Sequence, residues 1–415
     1  MRDQESIELR KTPVLWWFIA ASSINFMVAF CVSEYFNHQT FASIMSFNAR
    51  DEPGPLEPFL YTTHAPFGQH YFGDFFQILQ MSKLPTPYLN GNNNLISQYP
   101  PISHMLFYPL KLIDTKLAVL AYLLISLILV VWTIRKLTEM MDLTVRPLVF
   151  LLFLFSGPVI SIIDRGNITL VIFSLTVLSL FVVMNDFNKV IVQILSIGMK
   201  FFPAFFFMEV EKKQQSRNVF RTGVIEALAI LCLSSLGFLL LGSGFTQNIR
   251  GFFGAFMFQG RFSEQAFTQG VSLSAFMDAI QRLLDLKYEM ATMLIVVVST
   301  LFLLLLLLAQ YLPRLSSISR EEERLLIICS FICVVPKITG SYQLIFFLIP
   351  LALYLKKDLD SEKLSLNTFL LIFLILPIRY EISDGVFLSS LVAAPCIVVM
   401  TVNTFWIQVE RAKKK

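Results

Sequence analysis

The sequence predicts an all-α polytopic membrane protein, and three observations predict it. Of its 415 residues, 55% are hydrophobic and only 15% charged, where a soluble chain carries about a quarter. The mean hydropathy is +0.67. Runs such as "PVLWWFIAASSINFMVAFCVSEY" and "ATMLIVVVSTLFLLLLLLAQYL" are long enough to cross a hydrocarbon core of about 30 Å.

The elements follow in order. Apolar runs fall at 13–35, 116–134, 147–163, 167–185, 220–242, 288–312, 324–336, 341–355, 366–380 and 386–408, and a further stretch, 189–209, is broken by "GMKFFP". They predict a single integral-membrane domain over 1–415, a bundle of about 10–12 transmembrane or re-entrant helices. The first run is long and lacks a small-residue cleavage site, so it reads as a retained signal anchor. With a cytoplasmic N-terminus, "RKLTEMMDLTVR", "EVEKKQQSRNVFR", "PRLSSISREEER", "KKDLDSEK" and "ERAKKK" all fall on the cytoplasmic side. That side then holds most of the 33 lysines and arginines, as the positive-inside rule asks, and the C-terminus is cytoplasmic too. The assignment requires 189–209 to enter and leave on one side as a hairpin of half-helices. The polar loops 36–115 and 243–287, the turn "DRGN", "PKITGS" and "IRYEISDG" then lie outside, most simply outside a plasma or inner membrane.

Several classes are excluded or disfavoured. No GxxxxGK[ST] loop marks a nucleotide-driven machine. The net charge of +4 is spread over short connectors, and no nucleic-acid partner is expected. The five cysteines show neither metal nor disulfide spacing, and only Cys329 and Cys333, at i and i+4, could face one another. No His, Asp or Glu cluster has ligand spacing, so no metal and no cofactor is expected.

Candidate chemistry starts at "YFGDFFQILQMSKLPTPYLNGNNNLISQYPP", residues 71–101. Over 73–82 the pattern predicts an interfacial helix, with Phe75, Ile78 and Leu79 on one face and Gln77 and Gln80 on the other. Asp74 stands at its start, where the helix dipole favours the ionised acid. It reads either as a plain helix-start acid or as a catalytic one. The tyrosines and amides that follow, Tyr99 among them, suit sugar hydroxyls and ring faces, although "NGNNN" also reads as an ordinary turn. In "IIDRGNITL", Arg165 either pairs with Asp164 to cap a helical hairpin or clamps a phosphate. Arg261, Lys337 and Arg379 are further outer-face cations, and snorkelling is the plain reading for the last two. Lys200, in "GMKFFP", is read as neutralising helix-end carbonyls beside the break at Pro203. His70, four residues before Asp74, is either a second catalytic group or a surface residue.

The order of these pieces resembles a known family. A "GD" helix is followed by "YPP", by "GN" opening a membrane helix, by a K-x-x-P break and by "QGVSL" in a later outer loop. This is similar to the GT-C class of polytopic glycosyltransferases, in particular glycosyltransferase family 87, over about residues 70 to 355. The resemblance implies a GT-C-like bundle whose first extracytoplasmic loop bears interfacial helices. It also implies a sugar, often mannose, carried on a polyprenyl phosphate and transferred at the extracytoplasmic face to a glycolipid or glycan acceptor. The family's general base maps to Asp74. Its "YPP" maps to Tyr99, Pro100 and Pro101, its "GN" to Gly166 and Asn167, its K-x-x-P to Lys200 and Pro203, and its Q-x-x-SL to Gln269, Ser272 and Leu273. Many members carry a histidine in the late outer turn, where this chain has Tyr342 or Gln343. A phosphate is already a good leaving group, so an inverting transfer needs mainly one base, with an outer Arg or Lys holding the phosphate. The alternatives are a transporter or flippase of lipid-linked sugars, or a polymerase or ligase using them; no internal repeat favours the first.

Overall fold

The structure, a computed structural model, describes residues 72–84, 87–88, 97 and 99–414, except 183, 214–218, 242–243, 255–269, 286–288, 312–317, 337–338, 362, 378–379 and 384–385. It also describes a few helical residues of the first apolar run. Helices dominate, as the apolar runs predicted, and the protein is an all-α polytopic membrane protein. In chain order they are α1 (Gly73–Lys83), α2 (Pro101–Phe107), α3 (Thr115–Thr138), α4 (Arg146–Leu154), α5 (Gly157–Arg165), α6 (Thr169–Phe181) and α7 (Asp186–Met199). Then come α8 (Phe207–Lys213), α9 (Val219–Leu240), α10 (Leu273–Leu284), α11 (Glu289–Ala309), α12 (Glu321–Val334), α13 (Leu348–Ser361) and α14 (Leu366–Ile375). A small antiparallel hairpin, β1 (Glu381–Ser383) and β2 (Val386–Phe387), leads into α15 (Leu388–Lys413).

Among the described residues, α3, α9 and α15 are each long and apolar enough to cross a bilayer, and α4 and α5 pass the same test only together, with a bend of 45° between them. The bend has a local cause. Pro158, in the first turn of α5, has no N–H to continue the ladder of α4. Leu124 and Ile128 of α3, Leu228 and Leu231 of α9, and Leu301 and Leu305 of α11 are exposed. Side chains of that kind suit lipid, since a helix closes its own backbone hydrogen bonds and needs only an apolar surround. Inside, α12 is buried along nearly its whole length. Phe346 packs against Phe173, Phe202 and Phe206 at ring separations of 5.4, 5.1 and 5.8 Å.

The stretch 189–209 doubles back, as expected. Helix α7 ends at Lys200, whose backbone is extended, a 3-10 turn with Pro203 follows, and α8 returns. Lys189 Nζ lies 3.0 Å from a Glu211 carboxylate oxygen, closing the open end of this hairpin. Its apex reaches the end of the bundle where α5 stops and α6 starts, because Lys200 Nζ donates to Thr169 Oγ1 at 2.8 Å. A second tie at this end joins Gly270 to Gly340 as a β-bridge, with Val271 N–H donating to the Thr339 carbonyl at 2.8 Å.

Candidate active site

The start of α1 is pressed onto the turn between α5 and α6. Phe72 enters with φ 58°, and its N–H donates to the Asp164 carbonyl at 3.0 Å. Gly166 ends α5 in the left-handed region at φ 60°, a conformation in which a side chain crowds its own backbone. A Cβ there would also stand 2.7 Å from Phe72 Cδ1 and 2.9 Å from Phe75 Cβ. Glycine therefore serves both the turn and the close approach of α1. Beneath, Phe75 stacks on Tyr122 of α3 with ring centres 4.7 Å apart.

This packing corrects the expectation of a surface helix. Phe75, Phe76, Ile78, Leu79 and Met81 are all buried, so the apolar side of α1 is covered by protein. Asp74 is only 5% exposed. The expected membrane-facing side, Phe75, Ile78 and Leu79, is core, and Tyr122 and Phe107 supply rings that match Phe75.

A buried carboxylate needs partners, and Asp74 has three bonds. Arg165 Nε donates to Oδ2 at 2.6 Å and Nη2 donates to Oδ1 at 2.8 Å. Asn167 Nδ2 donates to Oδ2 at 2.5 Å. The amide cannot be turned round without loss, since Asn167 Oδ1 accepts from Thr169 N–H at 2.8 Å. Arg165 thus reaches past its neighbour Asp164 to an acid far away in sequence. An ionised carboxylate offers about four lone-pair positions; among the described residues Arg165 and Asn167 take three, which leaves one on Oδ1.

Two tyrosines and a lysine complete the cluster. The Arg165 guanidinium lies 5.2 Å from the Tyr342 ring centre. Lys200 Nζ lies 5.8 Å from that of Tyr99 and 5.6 Å from that of Tyr342, distances at which a ring face attracts a cation. Among the described residues no carboxylate comes within salt-bridge distance of Lys200. Two cations therefore meet one carboxylate here. Burial, then the Asp74 charge, pushes the Tyr99 phenol well above its ordinary value, so it stays protonated and able to donate.

Tyr99 is held from behind. Its N–H donates to Ser97 Oγ at 3.3 Å, and its carbonyl accepts from Tyr88 Oη at 2.8 Å. His104 of α2 bridges Ser82 at 3.0 Å from Nδ1 and Ser97 at 2.7 Å from Nε2. Ser82 already donates to the Ile78 carbonyl, so this network assigns the proton to Nδ1 and the acceptor role to Nε2. Burial pushes His104 down to about 4, and it is a neutral strut.

The sequence model of Glycosyltransferase family 87 matches residues 98–336, more than half of the chain. The chain belongs to glycosyltransferase family 87. It is accordingly a membrane glycosyltransferase. No curated protein and no solved structure matches it. The matched span includes Tyr99, Arg165, Asn167 and Lys200. Asp74 and Tyr342 lie outside that span, and the fold brings them to it.

The expected site residues Asp74, Tyr99, Arg165, Asn167 and Tyr342 thus meet in one cluster of this family-87 glycosyltransferase. His70, Arg261, Gln269, Lys337 and Arg379 lie outside the described residues, as does the "NGNNN" turn. Lys200 corrects its sequence reading: its ammonium bonds Thr169 and faces the two tyrosine rings of the cluster. The cost of a lysine inside an apolar stretch was the signal that pointed to it. Thr169 and Tyr122 were not singled out by any motif. Cys329 and Cys333 are free and buried, and each thiol turns to a separate carbonyl, of Phe346 and Gln343.

Proposed function

We propose that this glycosyltransferase moves a hexose, mannose in the first instance, from a polyprenyl-phosphate donor to a glycolipid or polysaccharide acceptor. The observation that carries the reading is the charge of the cluster: two cations, Arg165 and Lys200, around one carboxylate, Asp74. A sugar phosphodiester brings one negative charge and makes the set neutral. The acceptor hydroxyl attacks the anomeric carbon from the face opposite the phosphate, and the carbon–oxygen bond to phosphate breaks with inversion. The hydroxyl proton goes to Asp74 as the phosphate gains its second negative charge. The set is neutral again, so the cluster suits both ends of the reaction. A single base is enough because the leaving group needs no proton.

The aromatic faces of Tyr99 and Tyr342 suit a sugar ring, and the Tyr99 hydroxyl suits its polar edge. The cluster lies away from the end where Glu209, Glu211 and Glu323 pair with cations. Most lysines and arginines belong to the connectors of that end, which supports an extracytoplasmic site, cytoplasmic termini and a plasma or inner membrane location. The test is sugar transfer by the purified protein in nanodiscs, with radiolabelled polyprenyl-phosphate mannose and a pool of envelope glycolipids. Asp74→Asn, folded to the same melting temperature, is expected to be at least about a hundredfold slower. Equal rates would remove Asp74 as the base, and silence of the wild type across sugar donors would remove the donor class.

A further inference from the structure

The base proposed above is not free in the described structure. Both Asp74 oxygens are bonded, and the strongest bonds go to the Arg165 fork at 2.6 and 2.8 Å. The same guanidinium is the natural clamp for a phosphate, whose oxygens match that fork. The Nε–Nη2 edge can close on only one of the two, carboxylate or phosphate, at a time, and it is the edge that now holds Asp74. Lys200, the other cation, has its bond to the neutral Thr169 hydroxyl and tyrosine faces for neighbours, so it stands ready to draw an anion in.

We propose that Arg165 exchanges partners: an arriving lipid phosphate takes the guanidinium from Asp74, and only then does Asp74 become a base. The inference rests on the polyprenyl-phosphate reading and deepens it into an order of events, donor before acceptor. After the exchange Asp74 keeps the Asn167 amide, whose orientation Thr169 fixes, so the carboxylate stays aimed while its Arg165 lone pairs come free. Asn167 is on this account a positioning residue. Among the described residues, the titratable groups that feel the Asp74 charge include Arg165 on α5, Lys200 after α7, Tyr122 on α3, Tyr99 and Tyr342, and Asp164 lies buried beside Arg165 as the neighbouring carboxyl. The Asp74→Asn variant therefore decides which carboxyl takes the proton.

Charge makes the exchange measurable without an acceptor. A polyprenyl phosphate monoester, the reaction's leaving group, arrives with up to two negative charges where the cluster offers one positive charge in excess. A proton taken from solvent restores neutrality, and it goes to the carboxylate that has lost Arg165. The experiment is infrared difference spectroscopy on the full chain in nanodiscs, on adding polyprenyl phosphate, with binding followed separately by native mass spectrometry. Expected is a new carboxylic-acid C=O band equivalent to one group per protein. It shifts with carboxyl-labelled aspartate, is missing in Asp74→Asn, and does not appear with polyprenol. Arg165→Gln is expected to bind polyprenyl phosphate at least about tenfold more weakly. Binding of polyprenyl phosphate with no band, or with a band that survives in Asp74→Asn, overturns the exchange while leaving the donor reading in place. No binding at all overturns both.

Discussion

Replacing Asn167 by aspartate turns one hydrogen-bond donor into an acceptor and changes little else. The variant keeps the oxygen that accepts from Thr169 N–H at 2.8 Å, so the turn before α6 should persist. What it loses is the Nδ2 donor 2.5 Å from Asp74 Oδ2, and it puts a second carboxylate oxygen there. A hydrogen bond to a charged group is worth about 1.5–3 kcal/mol. Two like charges about 3 Å apart, at an effective dielectric of about 20, repel by roughly 5 kcal/mol. The pair escapes that repulsion by holding one proton between its two carboxyls. A shared proton occupies the group that must accept one, so transfer at neutral pH should fall at least about a hundredfold. The sign of the pH response follows: the shared proton leaves as pH rises, so the variant gains rate toward alkaline pH relative to wild type. The assay is initial-rate transfer in nanodiscs from pH 6 to pH 9, with melting temperature as the check on folding. A variant within about threefold of wild type and with the same profile would refute the placement of Asn167 against the base.

Lys200→Gln keeps a donor for Thr169 but removes the charge. Donor KM should rise about tenfold or more, while melting is unchanged or higher because a half-buried ammonium with no bonded carboxylate has gone. Gly166→Ala should cost roughly 1–2 kcal/mol of left-handed backbone strain and about 1–3 kcal/mol more for a Cβ driven against Phe72 and Phe75. Gly244→Ala, at φ 88° with nothing within 4 Å, carries the backbone strain alone, and equal melting losses would refute the contact. His104 sits near 4 against an unfolded value of about 6.5. Below about pH 6.5 the unfolded chain takes up a proton that the native chain refuses. Its contribution is therefore whole above that pH and falls progressively toward pH 4, by up to about 3 kcal/mol. His104→Gln should melt with a flatter pH dependence across that window.

The membrane class was legible because hydrocarbon thickness sets a length that a hydropathy pattern reveals directly; the number of spans was not, since among the described residues only α3, α9 and α15 are single helices long and apolar enough to cross. The hairpin at 189–209 was legible from charge, since a full span would have moved "EKKQQSRNVFR" across the bilayer. Asp74, Arg165 and Asn167 were legible one at a time, as polar residues at helix ends near an apolar surround. Their relation was not. Arg165 had Asp164 beside it, and nothing local says that the guanidinium reaches Asp74; that depends on Gly166 letting α1 lie against the turn. The face of α1 was misread for a related reason. Phe75, Ile78 and Leu79 show the same spacing whether lipid or protein covers them, and Tyr122 and Phe107 decide the matter from outside the window.

Charge inside this bundle serves two purposes, and the pairing pattern separates them. Glu209 and Arg324 meet at 2.6 Å across two helices far apart in sequence. Glu323 caps the start of α12 by accepting from Arg320 N–H, and it pairs with Arg411 near the end of α15. Gln310, just past the end of α11, and Gln408 of α15 exchange amide bonds at 3.0 and 2.9 Å. Each is a closed arrangement, in which a cation has an anion or an amide has an amide. Such pairs fix which helix ends meet, and they leave little for a ligand to satisfy. The Asp74 cluster is built the other way, with Lys200 half-buried among rings and a hydroxyl. Holding an ammonium there without a counter-charge costs stability. A chain that only needed to tie α7 to α6 could do so with a neutral donor to Thr169. The surplus charge makes sense as provision for an anion that arrives from outside the chain.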